Sequence, residues 1–149
     1  MNILYFGDNL EVLREKIANE SVDLIYLDPP FQSGRNYNII FSPKTVEAKG
    51  ISAQLQAFED TWTWGEEAEK EYSGLIQGTI TKERVQPKLI ELMKAMREYL
   101  NENSMMAYLA MMAPRLLELK RVLKHSGSIY LHCDPTASHY LKLLMDAIF

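Results

Sequence analysis

Residues 22–31 read V-D-L-I-Y-L-D-P-P-F, an apolar run that ends in an acid, two prolines and an aromatic ring. The run predicts a buried strand over residues 23–27, because nearly continuous apolar sequence is typical of parallel strands covered on both faces. Residues 28–31 would then leave the carboxyl end of that strand. Proline fixes its own φ, lacks a backbone donor and restricts the residue before it, so this exit is stiffer than an ordinary turn requires.

Helices and strands alternate on either side of this segment. Residues 2–6 (N-I-L-Y-F) predict a short buried strand, and residues 10–18 predict a helix. Asp8 or Asn9 is expected to cap that helix, with an acid three residues after Asp8 as in a capping box. A strand, a helix and a second strand in this order form a βαβ unit with a right-handed crossover.

The remainder of the chain divides into an irregular middle and an ordered last part. Residues 32–81 contain one short extended piece and the start of a helix at Glu66, and an irregular segment of this length is typical of a functional loop. The last part predicts a helix over residues 87–99, a largely buried helix beginning at Asn103 or Ser104, a strand over 128–133 and a helix over 138–149. This alternation predicts an α/β fold with a partial, doubly wound and mainly parallel sheet.

Composition limits the class of protein. A chain of 149 residues with 47% hydrophobic residues can form one domain with a real core. The sequence contains no apolar stretch of spanning length and no basic-then-apolar leader, so neither a membrane location nor secretion is expected. The single cysteine, Cys133, excludes an intrachain disulfide and fits a reducing cytoplasm. A net charge of −4 disfavours tight binding of DNA by this chain alone.

Three predicted strands are followed by acids. Asp8, Asp28 and Asp134 each come after a strand, and the carboxyl ends of parallel strands meet at the sheet edge where ligands bind. We therefore expect these carboxylates at one edge. For Asp8 a helix cap is the simpler role, but a cap can also accept hydrogen bonds from a ribose hydroxyl or an adenine amine.

Two roles fit the segment Asp28-Pro29-Pro30-Phe31. The simpler one is a proline turn with Phe31 packed in the core. In the other, the Asp28 carboxylate and the Pro29 carbonyl accept hydrogen bonds from one amino group. Pro30 would fix that carbonyl, and Phe31 would stack on a planar base. Two rigid acceptors favour a tetrahedral amine and stabilise the positive charge that develops as it attacks a methyl group. A base in DNA reaches such a site only after flipping out of the duplex.

The order of several motifs resembles the amino-directed DNA methyltransferases, which methylate adenine N6 or cytosine N4 with S-adenosylmethionine. L-D-P-P-F after V-D-L-I-Y is similar to the catalytic motif of that family, and G-D-N-L-E-V-L is similar to the segment that precedes it in permuted members. Q-S-G-R-N-Y-N, F-E-D-T-W-T-W and the long stretch A-P-R-L-L-E-L-K-R-V-L-K-H-S-G-S-I-Y-L-H-C-D-P extend the likeness over most of the chain.

The resemblance implies a role for each matching residue. Asp28, Pro29, Pro30 and Phe31 would form the target-base site. Asp8 would lie near the adenosyl part of the cofactor, and Asp28 also near its methionine end. The sheet would be of the Rossmann-like type of S-adenosylmethionine-dependent methyltransferases.

The family also implies partners and a location. Double-stranded DNA with a flipped base, most readily adenine, would be the substrate in the cytoplasm. A restriction subunit and a second copy of the chain are further partners that the resemblance allows. Cytosine N4, RNA and a protein amide stay open as alternative substrates, and so does a non-catalytic interaction or nucleic-acid-binding fragment.

One departure from the family concerns glycine. Members bind the cofactor on a turn of the form F-x-G-x-G, whereas no two of the seven glycines here are separated by one residue. We therefore expect residues 1–149 to be the N-terminal part of one catalytic domain, without the glycine-rich motif and the target-recognition region. On this interpretation the isolated fragment is inactive.

Other unusual residues have simpler explanations. His125, His132 and His139 recur every seven residues, but they fall on a loop, a strand end and a helix, so no metal site is predicted. The methionines of residues 105–112 are expected to pack in the core. Trp62 and Trp64 fit either stacking on a ligand or a strand edge with one buried ring.

Overall fold

The computed structural model describes residues 2–30, 37–40, 54–58 and 62–149, with residues 37–40 and 54–58 described as backbone alone. Its helices and strands are, in chain order, α1 (Asn9–Lys16), β1 (Val22–Leu27), β2 (Tyr37–Ile40), β3 (Gln54–Phe58), α2 (Glu66–Gln77), α3 (Pro87–Leu100), α4 (Ser104–Val122), β4 (Leu123–Leu131) and α5 (Pro135–Ile148). The irregular middle thus contains a second strand, β3, that its sequence does not predict.

Strands β1 and β4 form the parallel pair that the sequence predicts. Ile25 lies opposite Ile129 and Leu27 opposite Leu131, and the His132 amide donates to the Leu27 carbonyl at 2.8 Å. Strands β2 and β3 pair antiparallel in a separate sheet. The fold is therefore mixed α/β, as expected. Each sheet within the described residues has two strands, so the complete doubly wound sheet stays a prediction.

Helix α4 is the centre of the core and packs against α1, α2, α3 and α5. Asn103 caps it by accepting a hydrogen bond from the Met106 amide at 2.9 Å. The four methionines of α4 are all buried, which confirms their predicted place in the core: Met105, Met106, Met111 and Met112. None of the described helices is long and apolar enough to cross a membrane.

The predicted strand over residues 2–6 is wrong. These residues form no regular element, and the side chains of Leu4 and Phe6 are 97% and 99% exposed. A strand needs a hydrogen-bonded neighbour, and the described pairing of β1 is with β4 rather than with this segment. The predicted βαβ unit therefore lacks its first strand.

Burial of β1 is also less than its apolar sequence predicts. Ile25 joins the core, whereas Leu24 and Tyr26 are 60% and 67% exposed. Alternate side chains of a strand face opposite sides of the sheet, and one side of this pair is open. An apolar run therefore does not guarantee burial on both faces.

The other predicted elements are confirmed with shifted ends. Helix α1 ends at Lys16, two residues before the predicted end, and α5 begins at Pro135, three residues before the predicted start. Asp134 causes the earlier start, because its carboxylate accepts from the Ala137 amide at 3.2 Å and Pro135 fits the first helical turn.

Candidate active site at the carboxyl end of β1

A cavity of about 420 Å³ lies at the carboxyl end of β1. Its lining contains two of the acids predicted from the sequence, together with the proline pair, a tryptophan and an arginine: Asp8, Asp28, Pro29, Pro30, Trp62 and Arg115. The size is that of an ordinary small-molecule site. The structure thus brings Asp8, Asp28 and the proline pair into one cavity, although their roles stay predictions.

Asp8 stands at the amino end of α1. Its Oδ1 accepts a hydrogen bond from the Leu10 amide at 2.8 Å, which confirms the predicted cap. Gly7 precedes it with a φ of 136°, a conformation that side-chain-bearing residues rarely adopt. The turn that delivers Asp8 to the cavity therefore depends on glycine.

Arg115 is the functional candidate that sequence reasoning missed. Its Nη2 donates to both carboxylate oxygens of Asp8, at 3.0 and 2.8 Å, and its Nε donates to Asn9 Oδ1 at 3.1 Å. Its Nη1 donates to Glu71 Oε1 at 2.8 Å and to the Met111 carbonyl at 2.7 Å. A signal was present, because Arg115 interrupts the most apolar stretch of the chain, M-M-A-P-R-L-L.

Asp28, Pro29 and Pro30 follow β1 directly. The Asp28 side chain is exposed, and the two prolines are half-buried in the cavity wall. Two consecutive prolines hold the backbone here in a narrow range of conformations. Phe31 lies outside the described residues, so its predicted stacking role stays a prediction.

The third acid lies elsewhere. Asp134 caps α5, as expected of a turn that leads into a helix. The neighbouring Cys133 lines a different, more apolar groove with Leu131 and Leu141. Burial, followed by the negative charge of Asp134, raises the pKa of the Cys133 thiol. Asp28 and Asp134 thus follow the paired carboxyl ends of β1 and β4, as expected of acids at one sheet edge, but only Asp8 and Asp28 of the three line the cavity.

The two tryptophans separate into different environments. Trp62 lines the cavity, its ring centroid lies 5.8 Å from that of Tyr108, and its buried Nε1 has no hydrogen-bond partner in the described part of the chain. Trp64 instead lies under the Arg97 guanidinium, 4.6 Å from the ring centroid. Of the two, Trp62 is the one that lines the cavity.

Glu71, on α2, contacts Arg115 from outside the lining of this cavity. Burial raises the pKa of the Glu71 carboxyl, and the hydrogen bond from Arg115 opposes that rise. The negative charges of Glu67 and Asp8 add to the increase. Arg115 is thus the cation that balances a small group of carboxylates beside the cavity.

The fold and the cavity together describe an α/β protein with an acid-proline-proline turn after a parallel strand and a second acid in the same cavity. The chain belongs to the DNA methylase family of N6/N4 methyltransferases, whose model matches residues 22–149. This match confirms the family that the sequence motifs resemble.

Three relatives are Mod subunits of Type III restriction-modification enzymes. StyLTI Mod from Salmonella typhimurium strain LT2 is 26% identical over 150 residues, EcoPI Mod from Escherichia phage P1 is 28% identical over 150, and EcoP15I Mod from Escherichia coli is 26% identical over 156. Each match covers 99% of this chain but only 18% or 19% of the relative. The chain therefore spans less than a fifth of the length of these relatives.

Proposed function

We propose that this chain carries the base-binding part of a site-specific DNA methyltransferase that methylates adenine N6 with S-adenosylmethionine. The observation that supports it best is the shared cavity of Asp8 and the Asp28-Pro29-Pro30 turn. Membership of the DNA methylase family supports the same chemistry. Residues 1–149 would be the N-terminal part of one catalytic domain, and coverage of only 18% and 19% of two relatives supports a part rather than the whole.

The proposed work of the turn is to hold an exocyclic amine. The lone pair of such an amine is delocalised into the ring, so the nitrogen is a poor nucleophile in its planar form. The Asp28 carboxylate and the Pro29 carbonyl would accept its two protons and stabilise the positive charge that forms on nitrogen. Pro30 would keep the Pro29 carbonyl in place, and Phe31 would stack on the flipped base.

Two acids and a tryptophan of the cavity lining would contact the cofactor. S-adenosylmethionine, when bound, supplies an electrophilic methyl group on a sulfonium cation. Asp8 would accept from hydroxyl or amine donors of the adenosyl end, and Asp28 would lie near the methionine end. Trp62 offers an indole N–H that has no partner among the described residues, and we assign it to contact the bound ligand.

The proposed partners follow from the substrate and the relatives. Double-stranded DNA would bind with one base flipped out, in the cytoplasm. A restriction subunit is proposed because the relatives are subunits of restriction-modification enzymes. A second copy of the protein is a further proposed partner.

Cytosine N4 is the second candidate target, because the family methylates either amine. Methylation of adenine N6 and of cytosine N4 gives different products, and mass spectrometry of nucleosides from methylated DNA separates N6-methyladenine from N4-methylcytosine. Transfer to RNA or to a protein amide instead of DNA would overturn the proposed substrate. Absence of transfer to any of them would favour a non-catalytic fragment.

The test of the proposed site uses labelled methyl transfer to DNA by the full-length protein. Asp28→Ala should abolish transfer, and Asp28→Asn should lower kcat by about a hundredfold or more, the loss typical when a group that stabilises transition-state charge is removed. Asp134→Asn is the matched control, because this acid also follows a parallel strand but lies outside the cavity, and asparagine preserves a helix cap. Equal activities of Asp28→Asn and wild-type protein would contradict the role of Asp28.

A further inference from the structure

Arg115 connects three elements around the candidate site. Its guanidinium binds Asp8 and Asn9 at the amino end of α1 and Glu71 on α2, while its own backbone belongs to α4. The side chain is only 13% exposed. A planar guanidinium with five donors can hold several acceptors at fixed angles, which a lysine cannot do.

Helix α1 cannot set the position of Asp8 without help. It has eight residues, and a helix of this length is marginal unless other elements hold it. Two arginines of helix α4 bind the two ends of α1. Arg115 binds the first turn, and Arg121 donates to the Leu13 carbonyl at 2.6 Å near the last turn. The site of Asp8 in the cavity wall is therefore determined by α4.

The contacts leave Asp8 able to bind a ligand. Its Oδ1 accepts from both the Leu10 amide and Arg115, whereas its Oδ2 accepts from Arg115 at 2.8 Å. A carboxylate oxygen can accept two hydrogen bonds, so Oδ2 keeps acceptor capacity while the carboxylate plane is held at two points. Glu71 holds the opposite side of the guanidinium.

We propose that Arg115 is a positioning residue for cofactor binding, which fixes the Asp8 carboxylate in the orientation that accepts a donor of the adenosyl group. This inference rests on the proposed function. Arg115 acts through Asp8, and its own donors stay on protein acceptors. Loss of the guanidinium would leave the Asp8 carboxylate held only by its hydrogen bond from the Leu10 amide and able to rotate about that contact, which weakens the affinity for the cofactor.

Arg97 provides a matched control. Its Nη2 donates to Glu69 Oε2 at 2.8 Å and to Glu102 Oε1 at 2.6 Å, and its guanidinium covers the rings of Trp64 and Tyr72. It is thus an arginine that links two carboxylates and several elements, as Arg115 does. It is absent from the cavity lining, so its loss should affect stability without affecting the cofactor.

The experiment measures the dissociation constant of S-adenosylmethionine for the full-length protein by calorimetry, at a temperature where thermal unfolding shows each variant to be folded. Arg115→Met should weaken binding by about tenfold or more, the effect of losing charge-assisted hydrogen bonds. Arg115→Lys keeps the positive charge but lacks the planar guanidinium with its five donors, so the affinity of this variant for S-adenosylmethionine should be intermediate. Arg97→Met should bind as the wild-type protein does.

A double-mutant cycle separates action through Asp8 from a general loss of structure. In an Asp8→Asn background, Arg115→Met should weaken binding much less than it does alone, because the two changes remove one interaction. Equal affinities of Arg115→Met and Arg97→Met, or additive effects in the cycle, would overturn the inference while leaving the proposed function in place. No binding by the wild-type protein would overturn the proposed function and the inference with it. If Arg115→Met does not fold, Arg115→Lys and its cycle with Asp8→Asn decide in the same way.

Discussion

At the scale of single residues, helix α2 carries two glutamates whose environments differ. Glu71 is largely buried beside Arg115, and burial raises the pKa of its carboxyl. Glu69, four-tenths exposed on the same helix, accepts two hydrogen bonds from Arg97, and the pKa of its carboxyl is lowered mainly by them. Protonation of Glu71 therefore favours the folded state, whereas protonation of Glu69 disfavours it.

This contrast predicts the pH dependence of stability. A raised pKa means that the folded state binds the Glu71 proton more tightly than the unfolded state, so stability increases as pH falls through the raised value toward the ordinary value of 4.5. Glu71→Gln should lack this increase. Urea unfolding of the wild-type and variant chains at pH 7 and pH 5 measures the difference.

Glu69→Gln is the control of opposite sign. The lowered pKa of Glu69 gives stability that is present above the ordinary value of 4.5 and is lost as pH falls through the lowered value. Its removal should therefore change the pH dependence below 4.5 rather than above it. Identical curves for wild type and Glu71→Gln between pH 7 and pH 5 would show that burial does not control the Glu71 carboxyl.

At the scale of elements, the attachment of α1 to α4 decides where the site lies. Arg121 and Glu118 are buried on α4, with side chains 4% and 0% exposed, and their Nε and Oε2 atoms are 2.6 Å apart. Arg121 also donates to the Ile17 carbonyl and to Asn19. The carbonyls near the end of α1 are thus satisfied by a cation, as the helix dipole favours.

This buried pair predicts a large loss of stability when it is broken. Arg121→Met leaves the Glu118 carboxylate buried beside little more than the Lys82 amide, 2.6 Å from its Oε1, so the free energy of unfolding should fall by about 3–5 kcal/mol. Lys142→Met breaks an exposed pair with Asp146 on α5 and should cost about 0.5 kcal/mol or less. Urea unfolding followed by circular dichroism tests both variants. Similar costs for the two would contradict a structural role for the buried pair.

The elements also show what sequence can predict. The caps at Asp8 and Asn103 and the apolar periodicity of α4 are local signals, and these predictions are confirmed. The strand over residues 2–6 failed because a strand depends on a neighbour. The contact of Arg115 with Asp8 joins residues 107 positions apart, so no local pattern could reveal it.

The candidate site was predicted for a partly different reason than the structure provides. Asp28 follows a parallel strand, and the rule for strand ends places it correctly. Asp8 lies in the same cavity although no described strand precedes it. The Gly7 turn, its capping of α1 and the hydrogen bonds from Arg115 place it there. Asp8 therefore lies in the cavity because of side-chain contacts between distant segments, and its role there stays a prediction.

At the scale of the whole molecule, the described cavity is rich in acceptors. Asp8 and Asp28 line it, and the cation in its lining, Arg115, already binds two carboxylates. An adenosyl group with hydroxyl and amine donors fits such a wall. The carboxylate of a bound methionine needs a cation or several N–H donors, whereas the described lining offers the Trp62 indole N–H and an arginine that is already paired.

This imbalance predicts how the 149-residue chain binds the cofactor. Calorimetry should show adenosine and S-adenosylmethionine binding the chain with similar, weak affinities, because the described lining offers the methionine carboxylate no unpaired cation. The full-length protein should bind S-adenosylmethionine about a hundredfold tighter than adenosine, the combined effect of a few charge-assisted hydrogen bonds. Circular dichroism of the chain establishes that it is folded during the titration. Tight binding of S-adenosylmethionine by residues 1–149 would show that this chain already contains the donors for the methionine end, and the proposal that they come from another part of the protein would then be wrong.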